Sequence, residues 1–276
     1  ENMSLDLNEV VRLLAAGNIP SPRLEARILL EHVGGSPFAE VDGEAEQKLR
    51  RLVERRLAHV PLDKLLGRRE FYKNDFIVSE DVLTPRPDTE ILVEAAVGLV
   101  RRNGLKRILD LGTGSGCIIL SILDDCPQAC GTAVDKSAAA LEIARRNAAR
   151  LGLSERVAFV CRSWFDDDFV RETGTGFDMI VSNPPYIPTA DIASLEPEVR
   201  EHDPLSALDG GADGFAHYEK IASLAPLLLK KGGYILLEAG IGQARHISEV
   251  FAGRGLSALE IRPDLAGTER CVILKK

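Results

Sequence analysis

The predicted fold is decided by nine consecutive residues, Ile108-Leu109-Asp110-Leu111-Gly112-Thr113-Gly114-Ser115-Gly116. The first four are mostly apolar, as in a buried strand, and the glycines allow positive φ in a tight turn that leads into a helix. A ligand can approach the backbone there, beside the unpaired N–H groups of a helix N-terminus. The turn alone is a weak signal, because the dinucleotide fingerprint requires Gly or Ala where Cys117 stands.

Outward from this turn, predicted strands alternate with predicted helices as far as the C-terminus. The strands are expected at 107–111, 131–135, 157–161, 178–183, 234–238, 257–261 and 271–274, and the helices at about 116–124, 137–151, 214–229 and 243–252. This alternation predicts an α/β fold with a mostly parallel seven-stranded sheet covered on both faces. No helix separates the last two strands, so the last strand is expected to be antiparallel.

The first quarter of the chain has a different pattern. Between residues 5 and 66, apolar residues recur at helical spacing and are separated by Gly- and Pro-rich turns, which predicts a bundle of three to five helices. We expect a helical domain at 3–68, serving substrate recognition or scaffolding, then a β-hairpin linker at 69–85 that turns across Lys73-Asn74-Asp75, and an α/β domain at 86–276. Asp88 or Thr89 is expected to cap the helix that follows the linker.

The charge balance is acidic, with a formal net charge of −8. This argues against non-specific attraction to a polyanion, because nucleic-acid affinity depends on neutralising phosphates with Lys and Arg. Five basic residues do cluster on one predicted helix, but glutamates are interleaved with them, so we expect a solvated helix face. These residues are Lys48, Arg50, Arg51, Arg55 and Arg56.

Cysteines, histidines and apolar runs limit the remaining classes. The five cysteines form no Cys-x-x-Cys pair and the five histidines are scattered, which predicts buried free thiols, no metal site and no nucleophilic triad. No apolar run approaches about 18 residues, and the N-terminus lacks the pattern of an export signal. We therefore expect a cytoplasmic protein without a membrane association.

Two further residues stand near predicted strand ends. Asp135 ends the strand after the glycine turn, 23 residues beyond Gly112, where a carboxylate can accept both hydroxyls of a ribose. It can also act as a carboxylate at the N-terminus of the next helix. Trp164 follows the third strand and can stack on an adenine whose edge meets Ser163 or Asp166, although most tryptophans simply close a core. Together these residues favour an adenosine-containing cofactor.

A fourth strand ends at Asn183-Pro184-Pro185-Tyr186. Neither proline can donate to a sheet ladder, so the strand must stop and the loop is stiff. An Asn held there offers an acceptor and a donor pair that suit a planar NH2 group. Alternatively, the two prolines merely end the strand.

This combination resembles S-adenosylmethionine-dependent methyltransferases that act on planar nitrogens, and within them it is similar to the HemK/PrmC family. The similarity runs from about residue 5 to the C-terminus. It is carried by Phe71-Tyr72, Thr84-Pro85-Arg86-Pro87-Asp88-Thr89-Glu90, Asp110 to Gly116, Ser182 to Ile187, Glu196 to Arg200 with Asp203-Pro204, and Asp209 to Gly214. The resemblance implies a class I methyltransferase domain at 86–276 that methylates N5 of the glutamine in the Gly-Gly-Gln motif of class 1 peptide chain release factors.

The resemblance also implies roles for individual residues. S-adenosylmethionine, which leaves as S-adenosylhomocysteine, is expected to contact Asp110, Gly112, Thr113, Gly114, Ser115, Gly116, Asp135, Trp164 and Asn183, with Arg86 and Thr89 supporting its pocket. The substrate glutamine is expected to contact Asn183, Pro184, Pro185 and Tyr186, of which Asn183, Pro184 and Tyr186 are the expected catalytic residues. No metal is implied.

Two other functions fit part of the pattern. Asn-Pro-Pro-Tyr suits any planar NH2, so a nucleic-acid methyltransferase acting on adenine N6 or guanine N2 is the alternative. A non-catalytic nucleotide-binding protein would keep the fold without transferring anything. The acidic balance counts against the first, and the intact Asn183 and glycine turn count against the second. We therefore expect a monomer that binds release factors and no nucleic acid.

Overall fold

The computed structural model describes residues 5–276. Residues 3 and 4, the first two of the expected helical domain, lie outside the described residues. The chain divides into two compact units. The first comprises the described residues through Arg68 together with Glu196–His202, and the second comprises Arg69–Leu195 and Asp203–Lys276. Within residues 5–276, no helix is both long and apolar enough to cross a membrane.

The helices of the described chain are α1 (Leu7–Ala16), α2 (Pro22–Gly34), α3 (Gly43–Leu57), α4 (Leu62–Leu66), α5 (Glu90–Asn103), α6 (Cys117–Asp125), α7 (Ala138–Arg150), α8 (Phe169–Thr173), α9 (Pro197–His202), α10 (Leu205–Leu208), α11 (Ala216–Leu228) and α12 (Ala244–Ala252). The strands are β1 (Arg68–Phe71), β2 (Asn74–Ile77), β3 (Arg107–Leu111), β4 (Cys130–Asp135), β5 (Val157–Cys161), β6 (Phe177–Ser182), β7 (Leu229–Glu238), β8 (Ser257–Pro263) and β9 (Glu269–Lys275).

In the first unit, α1 to α4 enclose an apolar core. Asp6 accepts a hydrogen bond from the Glu9 N–H at 2.8 Å and so caps α1. Fully buried leucines and valines from three helices meet in this core, and each such side chain contributes about 1.5–3 kcal/mol. They include Val10, Leu14, Leu29, Leu30 and Leu49. The recognition role expected for this region stays a prediction.

Arg56 on α3 is buried, at 2% exposure, so the prediction of a solvated helix face is wrong for this residue. It follows Leu49, Leu52 and Val53 at helical spacing and shares their inward face. A buried guanidinium requires partners. Its Nε donates to Glu25 at 2.5 Å and its Nη2 donates to Glu198 on α9 at 2.7 Å. Helical periodicity therefore outweighed the charge pattern.

In the second unit, β3 to β9 form one sheet in the order β5-β4-β3-β6-β7-β9-β8. The neighbouring pairs from β5 to β7 are parallel, and β9 runs antiparallel to both β7 and β8. The predicted seven-stranded, mostly parallel sheet with an antiparallel last strand is confirmed. The strand order reverses at β3, which has β4 on one side and β6 on the other, and ligands bind at such switch points in α/β sheets.

Alternation along the strands divides the second unit into two cores. Ile108 and Met179 pack with α5 and α6 on one face of the sheet, whereas Leu109 and Ile180 pack with α11 and α12 on the other. Both faces are covered, as a parallel sheet requires. The prediction of buried thiols is wrong for two cysteines, since Cys130 at the start of β4 and Cys161 at the end of β5 are exposed.

The hairpin β1–β2 turns one residue earlier than the sequence predicted, at Tyr72 and Lys73. Tyr72 has φ 57°, a backbone angle that residues other than Gly rarely adopt. Two bonds hold it there: its N–H donates to the Glu90 carboxylate at 3.0 Å and its hydroxyl donates to Asp125 at 2.9 Å. Tertiary partners of the tyrosine thus displace the turn from the more turn-prone Asn74.

Candidate active site

Two loops meet at the carboxyl ends of the parallel strands. Leu111 at the end of β3 pairs with Ser182 at the end of β6, so the glycine turn and the Asn-Pro-Pro-Tyr loop start side by side. A cleft of about 150 Å³ opens there. It is lined by residues 81–86, Thr89, residues 112–115, Cys117, Ile118, residues 135–137, Ala140, residues 163–165, Asn183, Pro185, Pro204, Ser206, Ala207 and His217.

Backbone hydrogen bonds fix the glycine turn. The N–H groups of Gly112 and Thr113 both donate to the Val134 carbonyl at 2.9 Å, which ties the turn to β4. Gly112 has φ 77°, and an added Cβ would lie 3.3 Å from the Trp164 ring. Glycine is therefore required there both for its conformation and for the close approach of the indole.

Asp135 at the end of β4 clamps two backbone segments. One carboxylate oxygen accepts from the Gly114 N–H and the other from the Ser137 N–H, both at 2.9 Å. Burial raises the pKa of Asp135, and these two bonds oppose that shift. A carboxylate has about four acceptor positions, so about two remain for a ligand in the cleft. The two roles predicted from the sequence, helix-terminal carboxylate and ribose acceptor, are thus compatible.

Asp110 lies beneath the turn and does not line the cleft. It is fully buried, and its carboxylate accepts from the Thr113 hydroxyl at 2.6 Å. Burial raises the pKa of Asp110 to about 7, with a further contribution from the charge of Asp135. Its position suits a support for the turn.

Two aromatic side chains form one wall of the cleft. Trp164 is 8% exposed and Phe165 is 49% exposed. The Trp164 indole N–H donates to His217 Nδ1 at 3.2 Å. Ser163 also lines the cleft, whereas the Asp166 carboxylate accepts from the Ser163 N–H at 3.0 Å. Trp164 therefore combines the two roles weighed from the sequence, since it packs in the core and still faces the cleft.

Asn183 reaches the cleft from the end of β6. Within residues 5–276, no protein group hydrogen-bonds to its side-chain amide, which leaves that amide available to a ligand. The loop before it is anchored by the Ser182 hydroxyl, which donates to the Leu111 carbonyl at 2.6 Å. Pro185 lines the cleft as well, whereas Pro184 is buried and does not line it.

Tyr186 fixes the end of the loop without lining the cleft. Gln243 donates to the Tyr186 carbonyl and accepts from the Gly240 N–H, both at 3.0 Å. Added Cβ atoms at Gly210 and Gly214 would lie 2.7 and 2.5 Å from the Tyr186 backbone. Side chains at these two positions would therefore collide with the backbone at the end of the Asn-Pro-Pro-Tyr loop.

A buried carboxyl group, Glu238 at the end of β7, joins the loop to the 84–90 segment. It accepts from the Thr89 hydroxyl and, at a long 3.5 Å, from the Tyr186 hydroxyl. Burial raises the pKa of Glu238 to about 7, and burial also raises the pKa of Tyr186. The expectation that Asp88 or Thr89 caps α5 through its side chain is wrong. Thr89 occupies the cap position but bonds Glu238, and Asp88 faces Arg270 at 3.4 Å.

The residues predicted from the sequence fall into two groups. Ten of them line the cleft: Arg86, Thr89, Gly112, Thr113, Gly114, Ser115, Asp135, Trp164, Asn183 and Pro185. Four lie outside its lining: Asp110, Gly116, Pro184 and Tyr186. Arg86 pairs with the buried Asp203 at 2.9 Å, beside the part of the lining formed by Pro204. Their roles in binding and catalysis stay predictions.

Three residues that support the cleft were not predicted from the sequence. Glu238 carries the signal that identified Asp135, an acidic residue at the end of a predicted strand. Gln243 and His217 carry no comparable signal, because each acts through a fold contact distant in sequence, with Tyr186 and Trp164 respectively.

Comparison with known proteins gives consistent matches. A family model described as PrmC N-terminal domain matches residues 7–67, and one described as Methyltransferase small domain matches residues 87–195. A release factor glutamine methyltransferase from Rhodospirillum rubrum is 45% identical over 273 residues, covering 96% of this chain and 82% of that protein. One from Agrobacterium fabrum is 40% identical over 286 residues, covering 99% and 97%.

Among solved structures, a methyltransferase from Pyrococcus furiosus has a TM-score of 0.55 and 17% identity, covering 81% of this chain and 98% of that one. At this identity the likeness shows the fold alone.

Proposed function

The chain belongs to the family of release factor glutamine methyltransferases, and on that premise we propose that its cleft methylates a protein glutamine. The methyl group of S-adenosylmethionine is transferred to N5 of the glutamine in the Gly-Gly-Gln motif of class 1 release factors. One observation carries the proposal: Asn183, with its amide unpaired within residues 5–276, lies at a strand end beside the glycine turn.

The cleft fits an adenosine-containing cofactor. The carboxylate of Asp135 has acceptor positions left for ribose hydroxyls, and the turn from Gly112 to Ser115 brings backbone into the lining. Trp164 and Phe165 offer ring surface for a flat base. When bound, S-adenosylmethionine supplies a methyl group on a positively charged sulfur.

The chain's own contribution is to position the amide. An amide nitrogen is a poor nucleophile because its lone pair is delocalised into the carbonyl. The Asn183 side-chain oxygen, which lines the cleft, accepts one N–H group of the substrate amide and orients its nitrogen. The Pro184 carbonyl, which lies just behind the lining in the same loop, is the acceptor we propose for the second N–H group. These acceptors bind more strongly as the nitrogen gains positive charge, so they stabilise the transition state more than the ground state. The methylated nitrogen then releases one proton to solvent.

Tyr186 contributes by holding the loop rather than by lining the cleft. Its carbonyl is fixed by Gln243 and its hydroxyl faces Glu238.

Release factors act in translation, so the reaction takes place in the cytoplasm. The protein acts there as a monomer and does not bind nucleic acid.

The test replaces Asn183 by Ala. Turnover with labelled S-adenosylmethionine and release factor should fall by at least 100-fold, whereas calorimetry should show S-adenosylhomocysteine affinity within about threefold of wild type. Wild-type turnover by Asn183→Ala would refute the positioning role of this side chain. A release factor whose motif glutamine is replaced by Ala serves as the substrate control and should accept no label.

The alternative acceptor is an exocyclic amine of a nucleic acid, since the loop suits any planar NH2. The same labelled assay with RNA or DNA in place of release factor separates the two. Label on adenine N6 or guanine N2, and none on the release factor, would replace this proposal by the alternative.

A further inference from the structure

His217 is a residue of the cleft for which the mechanism above has no use. It lies at the start of α11 and lines the cleft beside Trp164 and Phe165. Its Nδ1 is 3.2 Å from the Trp164 Nε1, and its Nε2 is 3.1 Å from the Asp209 carbonyl oxygen. The imidazole is partly buried between these two partners.

The partners dictate the protonation state of the ring. The indole N–H of Trp164 can only donate, so Nδ1 must be the unprotonated acceptor. The Asp209 carbonyl can only accept, so Nε2 must carry the proton. Only the neutral ring with its proton on Nε2 makes both bonds. A proton on Nδ1 would set two N–H groups against each other and break the bond to Trp164.

The same ring packs against both aromatic side chains of the cleft. Its centroid lies 5.4 Å from that of Trp164 and 5.4 Å from that of Phe165, with near-perpendicular planes in both cases. Edge-to-face contacts of this kind are favourable for aromatic pairs. The Trp164 ring is also confined on another side by Gly112, so its indole has little freedom to turn.

We propose that His217 is a positioning residue of the cofactor cleft. Its neutral ring, protonated on Nε2, holds Trp164 and Phe165 in the orientation that receives the adenine of the cofactor, and protonation of Nδ1 releases Trp164. This inference rests on the proposed function, because it places the cofactor's base against these two rings.

Burial is the main factor that favours the neutral form of the imidazole. Burial lowers the pKa of His217, and the charge of Lys136 lowers it further, while Asp209 acts in the opposite direction. Lys220 on the same helix lies over the Phe165 ring at 6.0 Å. The neutral ring is therefore the form present at neutral pH.

The first test uses the fact that Trp164 is the only tryptophan of the chain. A protonated imidazole quenches a neighbouring indole more strongly than a neutral one does. Wild-type emission should fall through one ionisation below pH 6.5, and His217→Phe and His217→Asn should both abolish this titration. His246→Gln is the matched control, since His246 packs on Phe215, and it should titrate like wild type. Absence of the titration in wild type, or its persistence in the His217 variants, overturns the inference.

The second test measures S-adenosylhomocysteine affinity by calorimetry at pH 8. His217→Phe keeps a ring but loses both hydrogen bonds, and should bind about five- to tenfold more weakly. His217→Asn, whose amide oxygen takes roughly the place of Nδ1, should recover part of the loss. Combined with Trp164→Phe, which already lacks the indole donor, His217→Phe should weaken binding by no more than about twofold further. Unchanged affinity in His217→Phe, or fully additive losses, overturns the inference.

The two tests separate this inference from the proposed function, because the fluorescence titration requires no cofactor. A wild-type protein that titrates but does not bind S-adenosylhomocysteine overturns the proposed function and the cofactor role of His217 together. A wild-type protein that binds S-adenosylhomocysteine without the titration overturns only the inference about His217.

Discussion

Replacing Asp135 by Ala tests the assignment of the cofactor site most directly. The change removes the acceptor for the Gly114 and Ser137 N–H groups. Hydrogen bonds to charged groups contribute about 1.5–3 kcal/mol each, but the burial that raises the pKa of Asp135 offsets part of this contribution, so the free energy of unfolding should fall by about 1–3 kcal/mol. If the carboxylate also binds both ribose hydroxyls, losing two more bonds at about 1.5 kcal/mol each should weaken S-adenosylhomocysteine binding by roughly 100-fold.

Asp178 provides the matched control, because it lies near the amino-terminal end of β6, at the opposite end of the strands from the cleft. Its carboxylate accepts from the Lys106 and Arg107 N–H groups at 2.9 and 2.8 Å, and from Lys230 at 2.8 Å. Asp178→Ala should therefore also lose stability, by about 1–3 kcal/mol, while binding S-adenosylhomocysteine normally. Urea denaturation and calorimetry measure the two quantities. Wild-type affinity in Asp135→Ala would refute the ribose assignment. Equal loss of affinity in both variants would show that the weaker binding results from the lower stability of the fold.

Three further outcomes follow from buried contacts. Gln243→Ala frees the Tyr186 carbonyl and the Gly240 N–H, so kcat should fall by at least tenfold at nearly constant S-adenosylhomocysteine affinity; a change confined to cofactor affinity would contradict this. Arg56→Ala leaves Glu25 and Glu198 without their buried partner and should cost about 3–5 kcal/mol of unfolding free energy in urea; a cost below about 1 kcal/mol would show that the pair is not buried in solution. Glu238 has a folded pKa of about 7 against 4.5 for the free group, so its contribution to stability is fully present below pH 4.5 and is lost as the pH rises through about 7. The stability of Glu238→Gln relative to wild type, measured by denaturation, should therefore rise between pH 4.5 and 7 by on the order of 3 kcal/mol, and a pH-independent difference would contradict the raised pKa.

Much of the α/β unit was predictable because its signals are local. Strand-to-helix alternation predicted every strand of the large sheet to within a few residues, except that β7 begins earlier, at Leu229. Asp135 was found by the rule that ligands meet strand ends in such sheets. Two errors involve partners that are distant in sequence. Arg56 lies on the inward face of its helix and pairs there with Glu25, and Thr89 bonds Glu238 instead of capping its helix.

The candidate site shows the same division. Of the ten predicted residues that line the cleft, most were predicted because the glycine turn, the strand-end acid, the tryptophan and the Asn-Pro-Pro-Tyr loop each have a recognisable chemistry. Arg86 and Thr89 were expected there only from the family resemblance. The sequence did not distinguish residues that line the cleft from those that support it, such as Asp110 and Tyr186. Alternation in a strand fixes the face on which a side chain lies, but not what stands between that side chain and the ligand.

By itself, the sequence determined the elements, their faces and the chemistry offered at each strand end, because turn residues and periodicity act over a few positions. Only the tertiary structure decided that β6 lies beside β3, and hence that Asn183 lies next to the glycine turn from which it is separated by some seventy residues. The tertiary structure also decided which side chains hold the segments around the cleft in place. Gln243 bonds Tyr186, Glu238 bonds Thr89, and His217 accepts from Trp164. Such bonds depend on side chains meeting across the fold, and no local pattern encodes them.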